Sequence, residues 1–141
     1  MERDSNNYYS IIQGVFSEAK FDSKDGELTL ARVLETDPDV INWLRPHPHE
    51  FNITYNHGHN YEPDFVVETE DVIYLVEVKG EDKLKDTDVI AKKERGIQYC
   101  AVASCWGKAN GYKEWRYLFI PAGQIHVNSS FTQLAERYKE L

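Results

Sequence analysis

The chain has 141 residues, of which 41% are hydrophobic and 28% are charged, and its formal net charge at pH 7 is −8. This length and composition are typical of a single globular domain over residues 1–141. The acidic balance disfavours a protein that holds nucleic acid by bulk electrostatics, unless metal ions or a partner neutralise the site. No apolar run approaches the about 18 residues of a membrane span, and Cys100 and Cys105 make no disulfide framework. We therefore expect a cytoplasmic protein without a membrane partner.

The first part of the chain predicts one helix between irregular segments. Residues 1–20 are expected to form an N-terminal arm or an extra strand. Ser23 and Asp25 are candidate N-caps of a helix over residues 26–35. Four residues follow the spacing of a single helical face: Glu27, Leu30, Ala31 and Leu34. A carboxylate therefore lies at the edge of an apolar stripe, and residues 40–44 are expected to form a short helical turn.

The rest of the chain predicts strands before a second helix. Three runs are typical of strands because they alternate in polarity or are rich in Val, Ile and Tyr: residues 51–55, 64–69 and 72–79. A helix over residues 88–103, a strand over 115–120 and a terminal helix capped by Ser130 and reaching residue 141 follow. The buried side of the second helix is expected to carry Val89, Ile90, Ile97 and Cys100. This order predicts an α/β fold with an αβββαβ core, in which helices flank a small mixed sheet.

Two carboxylates and one lysine meet if the second and third strands form a hairpin around a turn at Glu70-Asp71. Asp64 then lies opposite Glu77, with Cβ atoms about 4.5–5.5 Å apart. The two-residue period of a strand puts Lys79 on the same face. A slip of one residue in the register would separate the two acids.

This group of side chains predicts a metal site that hydrolyses phosphodiesters. Neighbouring carboxylates repel each other unless a cation lies between them. Mg²⁺, for which Mn²⁺ can substitute, prefers oxygen ligands and takes one or two protein carboxylates, here Asp64 and Glu77, and the carbonyl of Val78 is a further candidate. Bound metal lowers the pKa of a water and polarises a phosphoryl oxygen. Lys79 is then placed to orient or help deprotonate the attacking water, and to stabilise developing negative charge.

Two segments, YEPDFVV at residues 61–67 and YLVEVKG at residues 74–80, resemble the signature of the PD-(D/E)XK nucleases. More narrowly, most of the chain is similar to the C-terminal endonuclease domain of type III restriction enzyme Res subunits and to helicase-linked relatives. The resemblance implies Mg²⁺-dependent cleavage of both DNA strands in a restriction or helicase-linked defence system. It also implies partners: DNA, an ATP-driven helicase or translocase, a methyltransferase subunit, and a homo-oligomer or larger assembly that supplies two active sites.

The resemblance extends to the helices on either side of the signature. It implies a glutamate near the metal on the first helix, where Glu27 fits, and a lysine on the helix after the third strand. Lys92 matches that lysine, although Lys93 lies closer to the apolar stripe. The chain has no Gly-rich phosphate loop of the Walker type, so the implied motor is not within it.

Other interpretations stand beside these. Pro-Asp and Glu-x-Lys also occur by chance in exposed strands, and Glu27 is equally explained as a carboxylate that the helix dipole favours. The same fold could be a catalytically silent module that binds DNA or a protein partner, or could hydrolyse RNA or a junction. Two His-x-His pairs have a spacing that can bind zinc: His47 with His49, and His57 with His59. Three tryptophans could stack on bases, although core packing is commoner: Trp43, Trp106 and Trp115.

Overall fold

The computed structural model describes residues 24–140, and the predicted arm over residues 1–20 lies outside them. Within the described part there are three α-helices: α1 (Lys24–Thr36), α2 (Thr87–Asn110) and α3 (Phe131–Tyr138). The same part contains seven strands: β1 (Asn42–Leu44), β2 (Ile53–Tyr55), β3 (His59–Tyr61), β4 (Phe65–Glu68), β5 (Val72–Lys79), β6 (Glu114–Pro121) and β7 (Lys139–Glu140). Short 3₁₀ helices follow β5 and β6, at Glu81–Lys83 and Ala122–Gln124. No helix within residues 24–140 is long and apolar enough to cross a membrane.

Five strands form one mixed sheet in the order β1-β4-β5-β6-β7. β4 runs antiparallel to both β1 and β5, β6 lies parallel to β5, and β7 runs antiparallel to β6. The parallel pair needs a long crossover, and α2 supplies it. β2 and β3 form a separate two-stranded hairpin. The predicted mixed α/β fold with a small mixed sheet and flanking helices is therefore confirmed at this level.

Alternate residues of β5 face two different cores. Val76 and Val78 pack with buried residues of α1 and α3, whereas Leu75 packs with residues of α2 and of the β2–β3 hairpin. Strands that are covered on both faces are close to continuously apolar. Within β5 the one acidic residue is Glu77, and it lies on the α2 side of the sheet because it shares the parity of Leu75.

The first helix is confirmed, but the segment after it is not. All four residues of the predicted face of α1 are buried: Glu27, Leu30, Ala31 and Leu34. The helical turn expected over residues 40–44 is wrong, because Asn42–Leu44 forms β1 and Trp43 pairs with Val67 of β4. An edge position beside β4 gives this segment hydrogen-bond partners and buries Trp43, which outweighs the local turn signals around Pro38.

The strand expected over residues 51–55 forms, but it is not the first strand of the main sheet. It forms over Ile53–Tyr55 and pairs with β3, a strand that the sequence does not predict. The turn between them contains Asn56, His57 and Gly58 at φ values of 44°, 60° and 106°. Such left-handed residues match the twist of a tight hairpin, and Asn and Gly adopt them readily.

The second helix is longer than predicted, and the third is shorter. α2 runs past the predicted end at residue 103 and through the buried Gly107 to Asn110, and it is capped by Gly111, whose φ is 78°. Ile90, expected on the buried side, is 39% exposed. Ser130 caps α3 as predicted, accepting from the N–H of the third helical residue. The chain then leaves the helix at Tyr138 and adds β7 to the edge of the sheet beside β6.

Candidate active site

The β4–β5 hairpin has the register that the sequence predicts. The paired residues are Phe65 with Val76, Val66 with Leu75, Val67 with Tyr74, and Glu68 with Ile73. Asp64 stands one residue before β4, so continuing the register places it opposite Glu77. The N–H of Val78 donates to Asp64 Oδ2 at 2.8 Å, which fixes the carboxylate beside β5. The hairpin thus brings the two predicted carboxylates together at one end of the sheet.

The Glu77 carboxylate is buried and engaged through both oxygens. Only 4% of the residue is exposed. Lys79 Nζ lies 3.1 Å from Oε2, and the hydroxyl of Tyr61 donates to Oε1 at 2.9 Å. Burial raises the pKa of Glu77 above its usual range, and the charge of Lys79 and the bond from Tyr61 act in the opposite direction. Lys79 and Tyr61 therefore hold this carboxylate in one orientation.

Asp64 and Lys79 experience the combined field of the acidic cluster. Burial raises the pKa of Asp64 well above its usual range, and the charges of Glu77 and Glu27 raise it further. The bond from the Val78 N–H and the charge of Arg45 lower it only in part. Partial burial by itself lowers the pKa of Lys79, but the surrounding carboxylates raise it above the usual lysine value. A further cation at this place would relieve the repulsion between the carboxylates.

Glu27 reaches this cluster from the start of α1. A Cβ atom on Gly26 would lie 2.7 Å from Ala122 Cβ and 2.9 Å from Val78 Cγ1, so a glycine lets the helix begin close to the end of β5. Glu27 is 2% exposed, and Arg45 Nη1 lies 2.5 Å from its Oε1. The resemblance places a glutamate of the first helix near the metal. Here it lies within the same electrostatic cluster, paired with an arginine.

Three residues of this site were missed by sequence reasoning. Arg45 sits after β1, and its guanidinium lies 5.6 Å from the ring centroid of Phe65. Tyr61 ends β3, and its hydroxyl lies 2.8 Å from that of Tyr117 on β6. The position of Tyr61 three residues before Asp64 was one available signal. No local pattern marks Tyr117, because β6 joins the site only through its parallel pairing with β5.

The donor set fits an open metal site rather than a closed cage. Among residues 24–140 no group of three or more His, Cys, Asp and Glu side chains is arranged around a common metal position. This finding applies to the His-x-His pairs as well, so the zinc hypothesis has no geometric support. Mg²⁺ commonly takes one or two protein carboxylates and keeps waters and substrate oxygens in its other positions. Asp64 and Glu77 meet that requirement, and a ligand role of the Val78 carbonyl stays a prediction.

Lys92 and Lys93, the two candidates for the helix lysine that the resemblance implies, lie over different strands. Lys92 pairs with Asp88 at 3.4 Å and lies 5.8 Å from the ring centroid of Tyr55. Lys93 lies 4.8 Å from the ring centroid of Phe119, the β6 residue that pairs with Glu77. Lys93 therefore stands over the strand next to the site, whereas Lys92 stands over β2.

The tryptophans divide between core and surface. Trp43 is buried, as the core interpretation expects, and Trp115 is half-buried. Trp106 is 60% exposed and stacks on Tyr112 with ring centroids 5.2 Å apart, so core packing is wrong for this residue. Lys113, just after α2, pairs with Glu68 at 2.6 Å and donates to the carbonyl of Thr69 at 2.9 Å.

Comparisons with known proteins add no assignment. A scan against models of protein families gives no match, and a search of curated proteins gives none either. The functional argument therefore depends on the fold and on the geometry around Asp64, Glu77 and Lys79.

Proposed function

We propose that this chain is a Mg²⁺-dependent endonuclease domain of the PD-(D/E)XK type that hydrolyses DNA phosphodiester bonds. One observation carries the proposal: Asp64 and Glu77 approach each other from adjacent antiparallel strands, with Lys79 Nζ 3.1 Å from Glu77 Oε2. The order of elements also supports it. α1 is followed by the three antiparallel strands β1, β4 and β5, then by α2 and the parallel strand β6, and this αβββαβ order is the one expected of a restriction-endonuclease-like core. The β2–β3 hairpin is an insertion between the first two of these strands.

Each side chain has a role in the proposed reaction. Asp64 and Glu77 would hold Mg²⁺, or Mn²⁺ in its place, with Val78 O and Glu27 as further members of the site. Bound Mg²⁺ supplies an acidified water and neutralises charge on the phosphoryl group. Lys79 orients the attacking water and stabilises the negative charge that develops on the phosphate. The N–H of Val78 and the hydroxyl of Tyr61 keep the two carboxylates in place before substrate arrives.

Cleavage of supercoiled plasmid with Mg²⁺ or Mn²⁺ tests the proposal. Wild-type protein is expected to nick or linearise the plasmid, and Asp64→Asn and Glu77→Gln are expected to be inactive because each removes a charge but keeps the shape. Glu70→Gln and Asp71→Asn are matched controls, since these exposed carboxylates lie at the turn of the same hairpin, far from the site. Equal cutting by all five proteins would indicate a contaminating nuclease and would refute the assignment.

A catalytically silent module that binds DNA or a protein partner is the second candidate. Its support is electrostatic: Arg45 and Lys79 already pair with Glu27 and Glu77, and the whole chain carries a net charge of −8. Calorimetry with Mn²⁺ separates the candidates without any need for cleavage. Heat of binding in wild type that is lost in Asp64→Asn supports the metal-dependent enzyme, whereas no heat in either protein supports the silent module.

The proposed setting follows the resemblance. We propose DNA as the substrate, with a helicase or translocase and a methyltransferase subunit as partners of a cytoplasmic restriction or defence system. Cutting both strands needs two such sites, so a homo-oligomer or a larger assembly is part of the proposal. A panel of duplex DNA, RNA and branched DNA tests the substrate class, because the same three side chains could serve any phosphodiester.

A further inference from the structure

A buried chain of two tyrosine hydroxyls ends on the Glu77 carboxylate. Tyr61 OH donates to Glu77 Oε1 at 2.9 Å, and the hydroxyls of Tyr61 and Tyr117 are 2.8 Å apart. Each phenol has a single proton to donate. Since the proton of Tyr61 is directed at Glu77, Tyr117 must be the donor to Tyr61. Both hydrogen bonds therefore point toward the carboxylate.

These tyrosines are inaccessible to solvent and come from different parts of the fold. Tyr61 is 2% exposed and Tyr117 1% exposed. Tyr61 ends β3 in the inserted hairpin, and Tyr117 belongs to β6 on the opposite side of β5 from β4. Burial raises the pKa of each phenol well above its usual range, so both remain protonated donors. Hydrogen bonds in series polarise one another, and a charged acceptor strengthens them.

The chain of hydroxyls determines which oxygen of Glu77 faces which partner. Oε1 accepts from Tyr61, while Oε2 lies toward Lys79 at 3.1 Å. Without the Tyr61 hydroxyl, rotation of the carboxylate about its last bond would be restrained on one side only. Groups that orient a metal-binding carboxylate from behind commonly change metal affinity by roughly 10–100-fold when they are removed.

We propose that Tyr61 is a positioning residue of the metal site, that it fixes the orientation of the Glu77 carboxylate, and that Tyr117 supports it. This inference rests on the proposed function. It also assigns a task to the inserted β2–β3 hairpin, since the last residue of that hairpin would tie it to the catalytic strand. Tyr61 touches neither substrate nor metal in this role and acts through Glu77.

Three variants test the proposal in the intact chain: Tyr61→Phe, Tyr117→Phe and the double variant. Tyr74→Phe is the matched control, because Tyr74 lies on β5 but on the face opposite Glu77 and packs edge-on against Phe131. The readouts are the Mg²⁺ concentration for half-maximal plasmid cleavage, the Mn²⁺ affinity by calorimetry, and the melting temperature. For Tyr61→Phe we expect metal affinity to fall about tenfold, with a smaller loss in Tyr117→Phe and no change in Tyr74→Phe.

The double variant separates positioning from a purely structural effect. Tyr61→Phe leaves the Tyr117 hydroxyl buried without its acceptor, which lowers stability, and removing that hydroxyl too should restore part of the lost melting temperature. Metal affinity should stay low in the double variant, because Glu77 still lacks its donor. Metal affinity that recovers together with the melting temperature, or that is unchanged in Tyr61→Phe, would overturn the proposal. Wild-type protein that neither binds metal nor cuts DNA would overturn the proposed function first, and this inference with it.

Discussion

Replacing Gly96 by alanine tests how tightly α2 is packed against the strand that carries Tyr117. A Cβ atom at position 96 would lie 2.4 Å from Tyr117 Cε1 and 2.7 Å from Cδ1. Carbon atoms in contact are normally about 3.5–4.0 Å apart, so the ring or the helix must move by more than about 1 Å. The ring has little freedom, since it is 1% exposed and its hydroxyl is bonded to that of Tyr61.

The expected cost follows from two opposing effects. Overpacking of a buried site costs about 1–3 kcal/mol, and the size of this overlap favours the upper end. Alanine gains about 1 kcal/mol over glycine inside a helix, which leaves a net loss of about 2 kcal/mol. At about 2.1 cal/mol/K of unfolding entropy per residue, a chain of this length should lose about 7 °C in melting temperature.

Thermal unfolding followed by circular dichroism measures this loss, and two further variants identify its cause. Gly107→Ala is the matched control in the same helix, because its Cβ would meet its nearest atom at 3.0 Å rather than 2.4 Å. It should change stability by less than about 1 kcal/mol. In a Tyr117→Leu background, Gly96→Ala should lose much of its cost, since the ring it strikes is gone. Equal losses in Gly96→Ala and Gly107→Ala would refute the argument.

The remaining predictions concern the acidic cluster, the thiols and a helix end. Burial and the charge of Glu77 raise the folded-state pKa of Asp64, so wild-type stability should fall as pH rises from about 4, the usual pKa of an aspartate. Asp64→Asn, with EDTA present, should melt above wild type at neutral pH, and the gap should close toward acid pH; a gap independent of pH contradicts this. Cys105 is exposed, whereas burial raises the pKa of Cys100 to about 12, so a thiol reagent should label Cys105 alone until denaturant is added. Gly111→Ala should cost about 1 kcal/mol in urea unfolding because φ is 78° there, and Gly111→Asn should cost less.

Local pattern was sufficient where a segment buries one face or forms a tight hairpin. The stripe that contains Glu27 repeats with the helical period, and the short turn between β4 and β5 predicts the register that the structure has, in which Asp64 lies opposite Glu77. Local pattern was insufficient where pairing between segments that are distant in sequence decides the structure. Residues 40–44 have the local signals of a turn, yet the free edge of β4 makes them a strand. The second helix was predicted to end at residue 103, but it continues through the buried Gly107 and ends at Gly111.

The same reasoning explains which site residues the sequence could not reveal. Arg45, which follows β1, forms an ion pair with Glu27 of α1. The hydroxyl of Tyr117 on β6 is hydrogen-bonded to that of Tyr61, which lies more than fifty positions earlier in the sequence. Both contacts depend on the order of strands in the sheet, which the sequence predicted only in outline. The carboxylates were found because two of them lie on adjacent strands joined by a turn of minimal length. Their buried partners come from elements that are far apart in sequence.

Under the proposed function, the charges of the site would balance once metal and substrate are both bound. Three carboxylates, Glu27, Asp64 and Glu77, share the cluster with two cations, Arg45 and Lys79, so the side chains together leave one negative charge. Uncompensated charge is costly where burial is as deep as it is at Glu77. One bound Mg²⁺ would turn the balance to a single positive charge, and one phosphodiester would then bring it to neutrality. A purely structural strand buried on both faces would be expected to carry an apolar residue at position 77. The acidic side chain there, tied down by a tyrosine and a lysine, is the feature of this fold that packing alone explains least.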